Sequence, residues 1–420
     1  MHPTWILSLC ASLAPHTDPA LEGARPGESW RQFRGNSGQG LASTSSVPLS
    51  WSEEENITWK SPVPGEGWSS PVVDGEQVWL TYALRDEREL RALCLSTETG
   101  EVVHDVLILE PDELVPLHER NGHATPTPAL DDELVVVSFG TYGTAAVERS
   151  SGEVQWVNRE LTLIHQWGPA SSPVIHEDRV LLNCDGMEDR YVAALDLESG
   201  ELLWRTERSA PTRDDGFFRK AFSTPIVIED GRRSLMVSVG ANQLGAYDVS
   251  DGEEVWFVRF NGYASVAAPA YADGVIYAGT GYGDQSLFAV RMGGEGDVTS
   301  SDVLWSTRRG APIIPSPVVV GAELYMVDDN GVLSCLDAST GEVHWRERLD
   351  GGAVSASITY AGGHLFLHNH EGDTFVLEPD AEGARLVGTN SIDGGIQSSL
   401  AVAEGALYLR SDAALYRIDD

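Results

Sequence analysis

"YVAALDLESGELLWR", residues 191–205, decides the fold. Two apolar runs of strand length flank a three-residue turn, and no 3.6-residue period runs through them. Gly200 can take the left-handed conformation that closes a short hairpin, and Asp196 can cap the backbone just before it. The phrase returns along the chain. "STETGEVVH" ends at 104, "RSSGEVQW" at 156, "VSDGEEVW" at 256 and "ASTGEVHW" at 345, while "SSDVLW" at 305 lacks the glycine. A second phrase alternates with it: "SSPVV" at 69–73, "TPAL" at 127–130, "SSPVI" at 171–175, "STPIV" at 223–227, "AAPAY" at 267–271 and "PSPVV" at 315–319. "SASIT" at 355–359 and "SSLAV" at 398–402 are weaker copies. The eight copies, marked by Pro71, Pro128, Pro173, Pro225, Pro269, Pro317, Ile358 and Leu400, lie 41 to 57 residues apart. A four-stranded propeller blade takes roughly 40–50 residues.

The expected fold is therefore all-β: an eight-bladed propeller of four-stranded antiparallel blades. Within 171–204, "SSPVIHED", "RVLLNC", "YVAALDL" and "ELLWR" supply the four strands, and "DGMEDR" is a loop. A small twisted sheet must bury both faces against its neighbours. A large flat side chain at a fixed place fills the wedge between blades, so Trp59, Trp156, Trp204, Trp256, Trp305 and Trp345 read as structure. The last copy supplies three strands, while "ENITWK" at 55–60 precedes every other blade strand. The simplest closure lets 55–60 complete the last blade, which leaves no open sheet edge where the ring joins.

The 420 residues carry a formal charge of −36, with Lys60 and Lys220 the only lysines. Nucleic acid is excluded as a partner, because binding it needs phosphate-neutralising cations. Residues 1–24 read as a signal peptide and linker, with an apolar run from Trp5 to Ala14, and 25–420 as a single propeller domain. Leu9 is bulky where a lipoprotein signal before Cys10 wants a small residue. The location expected is periplasmic or extracellular, without a lipid anchor or a transmembrane helix, and the protein is expected to be a monomer. Cys94 and Cys335 occupy equivalent repeat positions six residues before Gly100 and Gly341, so they do not pair. With Cys184 they read as small buried residues.

"SSPVV", "AALD", "SGE" and the closing Trp together resemble the PQQ-type, or quinoprotein-like, eight-bladed propeller repeat, over about residues 50–420. "QFRGNSGQG" at 32–40, "NITWKSPVPGEGWSSPVV", "NGHATPTPAL" and "CDGMEDRYVAALDLESGELLW" are similar to the secreted bacterial PQQ-like propellers in particular. The resemblance implies one of two kinds of work. Quinoprotein alcohol dehydrogenases carry PQQ, calcium and usually a vicinal Cys–Cys disulfide, yet this chain has no "CC" and no "CxxCH". The related BamB-type outer-membrane assembly lipoprotein uses the propeller without a cofactor and binds other proteins. A fold alone does not choose between them.

A ligand would meet the face where the innermost strands begin, at the mouth of a funnel. The loop before blade two brings His118, Glu119, Arg120, Asn121 and His123; the loop before blade three brings Trp167; the loop before blade four brings Arg213, Arg219 and Lys220. Loops between second and third strands add Asp185, Asp189, Asp328 and His370. Asp185, Glu188 and Asp189 in "DGMEDR" are the candidates for a calcium site, though the full calcium-loop pattern is missing. No nucleophile elbow, phosphate loop or HExxH motif stands in a suitable context, so no catalytic residue is assigned. The leading reading is an exported, non-enzymatic scaffold that binds a protein, peptide or cell-envelope partner through this face, with no cofactor. A quinoprotein oxidoreductase binding PQQ and Ca²⁺ is the first alternative. Carbohydrate or small-ligand binding through Trp167 is the second.

Overall fold

A computed structural model describes residues 29–161 and 163–420. The expected signal peptide and Cys10 lie outside the described residues. Eight four-stranded antiparallel blades follow one another in simple succession, and blades one and four each gain a short fifth strand at one edge. Their innermost strands begin at Val72, Ala129, Val174, Ile226, Ala270, Val318, Thr359 and Ala401. Helix is confined, among the described residues, to two short 3-10 turns.

The ring closes as the sequence implies. Ile57–Pro62 is the outer strand of blade eight and pairs antiparallel with Ala414–Ile418, with Lys60 opposite Tyr416 and Ser61 opposite Leu415. Strand 57–62 thus binds the start of the chain to its end.

Glycine and tryptophan join neighbouring blades in a single recurring contact. The Trp204 indole on the outer strand of blade three donates to Val249 O of blade four at 2.9 Å. Trp156 does the same to Leu197 O at 2.9 Å, Trp59 to Thr97 O at 2.9 Å, Trp305 to Ala338 O at 3.1 Å and Trp345 to Asp380 O at 2.8 Å. In four of these contacts the receiving turn presents a left-handed glycine to the ring. Any Cβ at Gly100, Gly200, Gly252 or Gly341 would collide with the indole, and their φ of about 71–77° already disfavours an L side chain. Asp196 caps the opening turn by accepting the Ser199 N–H at 2.8 Å.

Two blades depart from this pattern. His104 stands in the tryptophan position of blade one, against Gly152. In blade five the hairpin without the glycine is long, and its residues 296–297 run back to pair in parallel with Trp256–Phe257 at the edge of blade four. Trp256 is buried there with no partner for its N–H.

The "DGMEDR" loop is shorter than the sequence suggests. The second strand of blade three runs on to Asp185 and the third begins at Arg190, and these two residues pair. Asp185 is drawn into the sheet because Arg208 waits for it between blades three and four. Arg208 Nε donates to Asp185 Oδ1 at 2.7 Å, and Nη2 to Asn183 Oδ1 at 2.9 Å and to Ser238 Oγ at 2.8 Å. Neither charged side chain of the pair has any exposed surface. Gly240 makes room for it, since a Cβ there would overlap the guanidinium. Cys94, Cys184 and Cys335 are buried free thiols.

Candidate functional site

The residue just before each Pro marker faces the propeller axis. There the backbone N–H of one blade donates to the hydroxyl of the next. Ser70 donates to Thr127, Thr127 to Ser172 and Ser172 to Thr224, at 2.9–3.0 Å. Ala268 donates to Ser316, Ser316 to Ser357, Ser357 to Ser399 and Ser399 back to Ser70, at 2.9–3.1 Å. The circuit is interrupted only between Thr224 and Ala268, where alanine offers no hydroxyl. This belt ties the blades together at the waist and lines the axis with polar oxygen.

Below the belt, residues 29–42 cross the base. Ser29–Trp30 pairs with the innermost strand of blade one, Arg31 O accepts from Leu130 N of blade two, and Gln39 Oε1 accepts from Tyr271 N of blade five. Ala42 N donates to Tyr360 O of blade seven. Arg34 is buried beneath the ring, with Nη2 donating to Gln39 O at 2.8 Å and Pro317 O at 2.6 Å. Burial lowers its pKa to about 9. Phe33 reaches the axis and forms part of the floor of the cavity above.

That cavity is a blind axial pocket of about 130 Å³. Its walls combine the belt hydroxyls with Trp68, Trp167, Phe222, Val266, Tyr282 and Ile314, and its mouth carries His118, Arg120 and Asn121. The loop before blade two therefore leans over the axis. A turn closed by Asn121 N to His118 O at 3.0 Å holds it, and Asn121 Nδ2 fastens it to blade three through Trp167 O at 2.7 Å. Trp167 packs on His118 with centroids 5.2 Å apart and stacks on Phe222 at 6.2 Å. Behind its face lies Lys220, fully buried, with Nζ 3.5 Å from the Trp167 ring centre and 4.2 Å from that of Phe217. The ammonium has no hydrogen-bond partner among the described residues, and burial lowers its pKa to about 8. His370 joins the mouth from blade seven through a 2.7 Å hydrogen bond to the pocket residue Ser355.

Of the residues singled out in sequence, His118, Arg120, Asn121 and Trp167 line the pocket, and Lys220 and His370 back its wall. Glu119 is exposed beside the mouth. The others lie outside the pocket lining. His123 holds its own loop through Nε2 and Val115 O at 3.0 Å. Asp328 caps the turn to Asn330 and Val332 at 3.0 Å. Asp189 lies 3.4 Å from Arg205 on the outside, and Arg213 stacks on Phe218 with its guanidinium carbon 4.4 Å from the ring centre. Arg219 sits in the short 3-10 turn 216–219 and is not part of the pocket wall. Glu188 is exposed, and Asp185 is committed to Arg208. Among the described residues no three His, Cys, Asp or Glu gather as a metal site, and no carboxylate lines the pocket. The residues present do not fit a calcium-held quinone, which needs carboxylate oxygens and room for fused rings. Sequence reasoning missed the belt and the floor. The signal for the belt was a hydroxyl residue before most of the Pro markers.

The geometry defines a closed eight-bladed propeller with a floored axial pocket and an irregular loop face. The family model described as "Outer membrane protein assembly factor BamB" matches residues 115–293 and 295–386, about two thirds of the chain, and the chain belongs to that family. It is 24% identical over 326 residues to the assembly factor BamB of Burkholderia pseudomallei, covering 76% of this chain and 81% of the relative. It is 26% identical over 257 residues to BamB of Shewanella oneidensis, covering 57% of this chain and 60% of that one, so it spans less than two thirds of this second relative. Among solved structures, BamB from Moraxella catarrhalis superposes with a TM-score of 0.62 at 16% identity, over 87% of this chain and 99% of that one. A quinohemoprotein alcohol dehydrogenase from Comamonas testosteroni does so with a TM-score of 0.56 at 10% identity, over 95% and 82%. These two likenesses concern the fold.

Proposed function

We propose that this protein is an exported, non-enzymatic scaffold of outer-membrane protein assembly, which binds a polypeptide partner through the loop face around the axial mouth. The observation that carries the reading is membership of the BamB family across most of the ring. The loop face supports it, because the waist contact recurs seven times around the ring while the loops above it differ in length and chemistry. The acceptance of a cofactor is disfavoured by a pocket wall without carboxylates. No helix of the described residues is long and apolar enough to cross a membrane, so the propeller itself gives no helical anchor.

The test is photo-crosslinking in cells from probes placed at Glu119 and Arg213, both exposed on the loop face. Crosslinks to a component of the outer-membrane assembly machinery are expected. Turnover of an alcohol or sugar by the purified protein with PQQ and Ca²⁺ would overturn the reading, as would a crosslink pattern unchanged when the probes are moved to the base.

A further inference from the structure

We infer that the axial pocket is a carboxylate site: it takes one apolar, ring-sized group into its interior and holds an attached carboxylate at the mouth. This deepens the scaffold reading, on which the polypeptide source of the ligand rests.

Charge is the first ground. The chain has 64 acidic residues against 28 Lys and Arg, yet no Asp or Glu lines the pocket. The ionisable groups that do are His118, Arg120 and the phenol of Tyr282. Arg120 makes no ion pair among the described residues, although carboxylates crowd the surface. It shares the pocket lining with Trp167 of blade three, Tyr282 of blade five and Ser355 of blade seven, which sets it at the axial mouth. Asp329 spends its oxygens on Ile313 N at 3.0 Å and Ile314 N at 3.2 Å and makes no ion pair with Arg120 among the described residues.

Donor geometry is the second. His118 Nδ1 accepts the Arg120 backbone N–H at 3.2 Å, so the ring proton sits on Nε2 and can be donated outward. A guanidinium fork and an imidazole N–H from one turn form a donor pair suited to a carboxylate. Lys220 adds a positive charge behind Trp167 in a medium of low dielectric.

Size is the third. A cavity of about 150 Å³ holds one benzene ring, and this pocket measures about 130 Å³. The interior faces of Trp167, Phe222, Val266 and Ile314 suit such a ring, and the belt hydroxyls below tolerate its edge. A free aromatic acid and the C-terminal residue of a polypeptide share this chemistry.

Calorimetric titration of the full chain distinguishes them. The probes are a blocked pentapeptide ending in phenylalanine with a free carboxylate, the same peptide as its C-terminal amide, and 3-phenylpropionate. The free-acid peptide is expected to bind about tenfold more tightly than the amide, the loss of one charge-assisted pair. Arg120→Gln should bring the two within about twofold while leaving the melting temperature in place. Trp167→Phe should reduce the accompanying change in tryptophan fluorescence, leaving the part that comes from Trp68. Equal affinity of 3-phenylpropionate and the peptide assigns the site to free acids; a peptide advantage of about tenfold assigns it to polypeptide ends. Equal binding of acid and amide, or no binding of any probe, overturns the carboxylate site. These titrations need no cellular partner, so their failure and a failure of the crosslinking are read separately.

Discussion

The rim and the mouth of this propeller are built on opposite principles. At the rim one contact recurs, an indole laid on the turn of the next blade with its N–H satisfied, as in Trp156, Trp204 and Trp305. At the mouth nothing recurs. Among the described residues Arg120 has no ion-pair partner and buried Lys220 no hydrogen bond, and each contributing loop has its own length and composition. Where the contact repeats, the indole N–H is satisfied because the same geometry is solved once and reused. A buried cation left unpaired, such as Lys220, costs free energy, and a fold keeps it where it meets something else. Changes at the rim and between blades should therefore cost stability, and changes at the mouth should cost binding.

The comparison breaks most severely at the seam. Deleting 51–60 removes four of the six residues of the outer strand of blade eight, with Trp59 and its contact to blade one. The loss should exceed the ~3–5 kcal/mol expected for a buried Trp alone, and a guanidinium unfolding curve with an unchanged midpoint would refute the closure. Next comes Asp185→Ala, which strands Arg208 between blades and deprives Ala241 N–H of its 2.9 Å acceptor. A cost of about 3–5 kcal/mol is expected, measured in the same way, with no effect on carboxylate binding.

Tryptophan to phenylalanine sharpens the contrast within the rim. Trp204→Phe loses a 2.9 Å hydrogen bond, whereas Trp256→Phe loses none. The first should cost about 1 kcal/mol more than the second, and equal costs would mean that the indole N–H contributes nothing to blade docking. The smallest effect is a gain. Ala268→Ser restores the missing hydroxyl of the belt opposite Thr224, where each equivalent position accepts a neighbour's N–H. Stabilisation of up to about 1 kcal/mol is expected, seen as a raised unfolding midpoint, and a destabilised variant would show that the gap serves packing.

The blades, their number and the seam were legible because each rests on local chemistry. A left-handed glycine, a polar cap and a strand-length apolar run declare a hairpin wherever they occur, and eight copies of the phrase that alternates with it declare a ring. The same reasoning named His118, Arg120, Asn121 and Trp167, since long irregular loops stand out against a repeat. It could not separate them from His123 or Asp328, which have the same polar character but spend it on their own turns. "DGMEDR" misled for a related reason. Three carboxylates in a loop look like a ligand set, but Asp185 is captured by Arg208 from the end of the outer strand, and only the folded sheet brings the two together.

The sequence by itself determined the architecture, because hairpin turns, strand alternation and the spacing of copies act over a few residues. The tertiary structure alone decided what the axis holds. Ser70 and Ser399 are 329 residues apart, and Arg34 and Pro317 are 283 apart, yet both pairs are in hydrogen-bond contact. Residues 29–42 become a floor, and unlike loops become one mouth, only when the ring has closed, because convergence on an axis is a property of all the blades together.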